Sequence, residues 1–263
     1  MSKVVILKQG KALHVVTDGA SYMADGRVSA IEQKTSVLPH LNTVIYSRGP
    51  ARTSLLLGLQ IQEEFTSFDA IIGGDISFFM RAFYHEHENH FRSSGFPDAE
   101  VYFFGWSQAK DRPEAHLMRC GFEDSDMFKD QADIGYRPEP FKLVEVKGKL
   151  ALAPPVDLTE MMAAGFPSQR RPDEMEPSVD LLHLFEIQRR KLSSMKPWLD
   201  PIRTGAGFAE MTTIRRDEIT QKILERYPEQ VGDYIAPGPI AWAQWRAQRK
   251  ANSRKWSWPF SGR

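Results

Sequence analysis

Apolar residues recur along this chain in two rhythms, short β-branched runs and helical stripes, and each predicts its own elements. Val4-Val5-Ile6-Leu7 and Ala12-Leu13-His14-Val15-Val16 flank the polar turn Lys8-Gln9-Gly10-Lys11, which predicts a hairpin. A loop holding Asp25-Gly26 follows, then Gln33-Lys34 leads into Val37-Leu38-Pro39, and Thr43-Val44-Ile45-Tyr46 is a further strand. Pro50 suits the first turn of a helix, where its missing N–H is not needed. In that helix Leu55, Leu56 and Leu59 form one apolar stripe and Leu57, Ile61 and Phe65 another, which predicts a helix wedged into the interior. A second helix is predicted over 76–90, with Phe78, Phe79, Ala82 and Phe83 turned inward.

The later chain alternates again. Residues 100–106 and 114–120 read as a hairpin around Asp111-Arg112-Pro113, and the acidic 123–140 reads as a surface loop. Residues 141–146 and 149–152 are predicted to pair across Gly148, followed by a short helix over 157–164 and a polar loop over 165–177. A helix then runs from Ser178, as N-cap, to Lys196, where Pro197 stops it; Leu181, Leu184, Phe185 and Leu192 face the core. Residues 207–214 and 218–224 form a closing hairpin around Arg215-Arg216-Asp217.

Composition narrows the class. A length of 263 residues suits one large domain with an extension, and 41% hydrophobic content supplies a substantial core. No apolar run approaches the roughly 18 residues of a membrane span. The first residues lack the apolar stretch of a signal peptide. With Cys120 as the single cysteine, a disulfide framework is excluded and a reducing compartment, the cytoplasm, is expected. Formal charge is zero, yet residues 240–263 carry Arg246, Arg249, Lys250, Arg254, Lys255 and Arg263 and no acid. The body is therefore mildly acidic and the tail strongly basic.

The candidate chemistry lies at the start. Ser2 to Asp18 is sixteen residues, and Asp18 to Lys34 is sixteen again. A hydroxyl at the N-terminus, an acid ending a strand, a lysine entering another and Gly49 before the first helix make a set. It resembles the N-terminal-nucleophile hydrolases, and within them the proteasome β-subunit branch with its simpler bacterial peptidases. The resemblance covers about 1–120 and 178–227 and leaves 122–177 unmatched. It implies an α+β fold, a four-layer αββα sandwich of two antiparallel sheets flanked by helices, over residues 1–235, with 236–263 as a basic, tryptophan-rich tail.

The same resemblance implies roles. Ser2, freed by removal of Met1, is the nucleophile and its own α-amine the base. Lys34 and Asp18 tune that amine, and the Gly49 amide binds the oxyanion. Asp200 and Thr204, before Gly205, look like the acid and hydroxyl that support the amine. The chemistry is sound by itself, because a serine hydroxyl needs a base and an α-amine titrating near pH ~8 is one. A nearby ammonium disfavours charging the amine and stabilises an alkoxide. The expected function is amide-bond hydrolysis, as a peptidase or amidase, without metal or organic cofactor, in a homo-oligomer or larger assembly. The alternative is an inactive subunit of the same fold that docks through its tail.

Other signals point elsewhere. His85-Glu86-His87-Glu88-Asn89-His90 lacks the H-E-x-x-H metal spacing, since Asn89 stands where a histidine is required. Gly73-Gly74-Asp75 reads as a turn before a helix, His183 as a packed or surface residue, and Cys120 as buried and inert. Trp242, Trp245, Trp256 and Trp258 among the tail's bases suit docking on protein, with a membrane surface or nucleic acid as alternatives.

Overall fold

The computed structural model of the chain describes residues 2–95, 97–122, 139–167, 169–192 and 201–255. Its strands are β1 (Val4–Gln9), β2 (Ala12–Asp18), β3 (Ala20–Tyr22), β4 (Val28–Ile31), β5 (Thr35–Leu38), β6 (Thr43–Arg48), β7 (Ala99–Ser107), β8 (Arg112–Cys120), β9 (Leu143–Glu145), β10 (Leu150–Ala153), β11 (Phe208–Arg215) and β12 (Glu218–Arg226). Its helices are α1 (Thr53–Glu64), α2 (Phe68–Gly73), α3 (Ile76–Glu86), α4 (Glu88–Ser93), α5 (Leu158–Ala163), α6 (Pro177–Arg190) and α7 (Trp242–Lys255).

Two antiparallel sheets stack face to face, in the orders β10-β1-β2-β11-β12 and β5-β6-β7-β8-β9. Three apolar layers hold them. Val4, Ile6, Leu13, Val15, Val44, Tyr46 and Phe104 fill the space between the sheets. Val5, Leu7 and Val16 meet Leu181, Leu184 and Phe185 of α6 on one outer face. Ile45, Val101 and Phe103 meet Leu57, Ile61, Met80 and Phe83 of α1 and α3 on the other. Successive strand side chains point to opposite faces. Val4-Val5-Ile6-Leu7 is apolar at every position because both faces of β1 are covered. The result is the αββα sandwich expected from sequence.

Local differences have local causes. The 19–32 stretch, read as a loop, carries a two-stranded sheet of β3 and β4. β9 and β10 do not pair with each other across Gly148: β9 joins β8 in one sheet and β10 joins β1 in the other. The short apolar runs specified strands, while the available sheet edges decided their partners. α1 begins at Thr53 rather than Pro50, and only one of its stripes is inward, since Leu57 and Ile61 are buried while Leu55 and Leu59 are exposed. In α3 the buried positions are Ile76, Met80, Phe83 and Tyr84, whereas Phe78 is 70% exposed and Ala82 is also outside. That helix ends at Glu86, and α4 restarts at Glu88. Asp75 caps α3 through Phe78 N–H at 3.0 Å. Ser178 is not the cap of α6, because Pro177 takes its first turn and Glu176 precedes it. Leu192 is exposed. The loop expected over 123–140 lies outside the described residues except at its end, as do Lys196 and Pro197.

The described part of the tail, 236–255, ends in α7, which lies on the chain's own α6. Trp242 stacks on His183 with ring centroids 4.7 Å apart. Arg246 pairs with the buried Asp180 and Arg249 with Glu225. The face turned to solvent carries Ala243, Gln244, Ala247 and Gln248. These two arginines serve internal ion pairs instead of forming an open basic surface. Trp256 and Trp258 lie outside the described residues. No helix among the described residues is long and apolar enough to cross a membrane.

Candidate active site

Strand geometry brings the early residues together. β1 pairs with β2 so that Val4 faces Thr17, which sets Lys3 opposite Asp18 at the end of the ladder. The Lys3 N–H donates to Asp18 Oδ1 at 3.0 Å. Alternation along β1 sends Lys3 toward α6, where its Nζ donates to the Gln188 carbonyl at 2.6 Å. Ser2 is 7% exposed and Asp18 1%.

Lys34, just before β5, joins the two. Its Nζ donates to Ser2 Oγ at 2.8 Å and to Asp18 Oδ2 at 2.7 Å. Burial lowers the Lys34 ammonium from its ordinary value of 10.5, and Asp18 opposes that fall. Burial also brings Lys3 down to about 8, again against the pull of Asp18. Lys34 and its carboxylate partner Asp18 thus border the Ser2 hydroxyl at a buried position, where charge interactions are strong, while the Lys3 ammonium lies on the α6 side of the sheet.

β6 supplies the other side. Arg48 Nε donates to the Ser2 carbonyl at 2.8 Å, and Arg48 is itself paired with Glu100 of β7. Tyr46 OH donates to the Lys3 carbonyl at 3.0 Å. Gly49 follows with φ of +148°, a region L side chains rarely adopt; an added Cβ would lie 2.6 Å from the Asp98 carbonyl. Ser47 Oγ accepts the Ser54 N–H at 3.1 Å, and Ser54 Oγ donates to the Lys34 carbonyl at 2.6 Å, so α1 braces both strands.

Thr204 is 1% exposed, and its Oγ1 has no hydrogen-bond partner among the described residues. Its neighbour Gly205 has φ of +101° and sits against Lys3, whose Cδ would be 3.3 Å from a Cβ there. Arg189 Nε donates to the Gly205 carbonyl at 2.7 Å. Asp200 lies outside the described residues. Of the sequence-derived set, Lys34 touches both Ser2 and Asp18; Gly49 follows β6, whose Arg48 bonds the Ser2 carbonyl, and Thr204 precedes Gly205, which sits against Lys3.

Sequence reasoning passed over Lys3, Tyr22, Arg48 and Gln188. Lys3 and Arg48 carried a usable signal, since each is a charge inside or beside an apolar strand run. Tyr22 and Gln188 carried none, because their contacts depend on segments far apart in sequence. The histidines set aside have structural contacts: His87 packs on Phe83 with centroids 4.7 Å apart, and His90 Nε2 lies 3.2 Å from the Ala51 carbonyl. No group of three metal-ligating side chains is found among the described residues.

Two stacked antiparallel sheets with helices on both outer faces define a fold class. It is the N-terminal-nucleophile-hydrolase fold. Among solved structures the chain is similar to an Anbu (Gly-1) mutant from Hyphomicrobium sp. strain MC1, at 11% identity and a TM-score of 0.52, with all of both chains covered. The sequence matches no protein-family model and no curated protein.

Proposed function

We propose that this chain is an amide-bond hydrolase, a peptidase or amidase of the proteasome β-subunit branch, with Ser2 as nucleophile after Met1 is removed. The observation that carries this reading is the Lys34 Nζ placed 2.8 Å from Ser2 Oγ and fixed on Asp18. A lysine that only balanced a buried carboxylate has no need to touch the hydroxyl.

The steps follow from the groups present. The Ser2 α-amine takes the Oγ proton as Oγ bonds to the substrate carbonyl carbon, and the resulting oxyanion is held by the Gly49 N–H. The carbon–nitrogen bond then breaks, and the leaving amine takes the proton from the Ser2 ammonium. The ester that remains is cleaved by water, with the same amine as base. Lys34 lowers the energy of the alkoxide and disfavours charging of the amine. Thr204 orients the amine, a role supported by its buried, unpartnered hydroxyl, since such groups ordinarily find a partner. Self-association is part of the proposal and is supported by the exposed Leu55, Leu59 and Phe78 on the outer helices. Its test is the sedimentation mass.

The decisive experiment is labelling with a β-lactone or a peptide epoxyketone, followed by intact mass and peptide mapping. The expected product is a chain lacking Met1 and modified at Ser2, and Ser2→Ala abolishes it. Labelling that survives Ser2→Ala puts the nucleophile elsewhere. Met1 retained throughout the purified protein leaves the amine acylated and ends the hydrolase reading in favour of an inactive assembly subunit.

A further inference from the structure

Tyr22 is not among the residues that the sequence suggested, yet it touches three parts of the site. Its hydroxyl donates to Asp18 Oδ2 at 2.5 Å. The same oxygen accepts the N–H groups of Gly205 at 2.7 Å and Ala206 at 2.9 Å. Its ring lies beside Lys34, whose Nζ is 4.8 Å from the centroid. We propose that Tyr22 is a positioning residue of the Ser2 site: its hydroxyl ties Asp18 to the turn that carries Thr204, and it competes with Lys34 for the same carboxylate oxygen.

The competition has a direction. Two amides donating into the phenolic oxygen polarise its O–H and strengthen the bond to Asp18. Burial holds the Tyr22 hydroxyl well above the usual phenol range, so it keeps its proton and donates it. Charge drawn from Asp18 Oδ2 into that bond is charge that no longer stabilises Lys34 as an ammonium. Tyr22 therefore favours the neutral lysine relative to a site without the hydroxyl. At the same time it keeps Thr204 at a fixed distance from Asp18 across 183 residues of sequence between Tyr22 and Gly205.

The groups facing Lys34 can be named from each side. β2 contributes Asp18, β3 contributes Tyr22, and Arg48 comes from β6. Glu32 lies on its own segment and is held by Ser21 Oγ at 2.6 Å and Arg52 at 3.5 Å. Ser2 precedes β1, and α1 offers only the Ser54 hydroxyl, to the Lys34 carbonyl. Among them Tyr22 is the group seen to share an Asp18 oxygen with Lys34.

The geometry stands by itself, while its catalytic consequence rests on the proposed function, and the test separates the two. The Lys34 Cε resonance, assigned with Lys34→Arg, is titrated by NMR in the full chain and in Tyr22→Phe. The Lys34 midpoint is expected to rise by about half a pH unit or more, a threefold change in its protonation equilibrium. A midpoint unchanged beside a lowered unfolding midpoint makes Tyr22 merely structural and overturns the proposal. Should Tyr22→Phe fail to fold, 3-fluorotyrosine placed at position 22 keeps the bonds and donates more strongly; the midpoint is then expected to fall, and no change or a rise overturns the proposal. Ser2 labelling is followed on the same samples. Its absence in the unsubstituted chain removes the hydrolase reading, while the lysine titration still decides Tyr22.

Discussion

Lys34 Nζ lies 2.8 Å from Ser2 Oγ, although 32 residues of chain separate them. The contact exists because β2 and β5 belong to different sheets that meet at the start of β1. Its partner Asp18 is buried, with no exposed side-chain surface.

Removing the lysine is therefore expected to act twice. Lys34→Ala leaves the Asp18 carboxylate buried without its salt-bridge partner, at a cost of about 3–5 kcal/mol. It also lowers the rate of Ser2 labelling by roughly 10²-fold or more. The double change Lys34→Met with Asp18→Asn is expected to recover most of the stability and none of the labelling. Urea unfolding and labelling rates on the three proteins check both halves. Labelling restored in the double variant would make the lysine a structural counter-charge.

Gly49→Ala tests the other end of the site. The added Cβ meets the Asp98 carbonyl at 2.6 Å in a backbone conformation suited to glycine, so the strand end must shift. A loss of about 1–3 kcal/mol is expected. Misplacing an oxyanion donor costs roughly 10²-fold in rate, again read by Ser2 labelling. Unchanged labelling in a folded Gly49→Ala protein would remove that amide from the mechanism.

Acid is expected to weaken the attachment of α7. His183 Nε2 donates to the Ala164 carbonyl at 3.0 Å, and Nδ1 accepts from Arg246 at 3.1 Å, which fixes the neutral ring. Burial lowers its pKa from 6.5 to about 4. Between those values the unfolded chain binds a proton that the folded chain refuses, so stability falls as pH drops from 6.5 toward 4. The full effect of one such histidine is about 3 kcal/mol. His14, also brought to about 4 by burial, adds a slope of the same sign. His183→Gln is expected to flatten the pH dependence of the unfolding midpoint. An unaltered slope would assign it to His14 or to another group.

Cys120 offers a probe of global opening. It is fully buried in β8, and burial raises its thiol well above the usual range. A thiol reagent is expected to modify it only as fast as the protein unfolds. Rapid modification of the folded chain would show that the end of β8 opens locally.

The sequence by itself determined the strands and helices wherever a pattern had one meaning. Val4-Val5-Ile6-Leu7 reads as a strand from its β-branched run alone, and Ser2, Asp18 and Lys34, singled out together from the sequence, are joined in the structure by the Lys34 ammonium. Where a pattern had two solutions, packing chose between them. Leu55 and Leu59 are as apolar as Leu57 and Ile61, but a helix lying on one sheet buries one stripe, so only the second pair went inward. β9 and β10 are too short to specify a partner, and sheet edges on opposite sides of the sandwich claimed them. Tyr22 belonged to the site only once β11 had paired with β2 and carried Gly205 and Ala206 to its hydroxyl. Periodicity is a property of neighbours along the chain, and a polar contact between segments nearly two hundred residues apart leaves no mark in it.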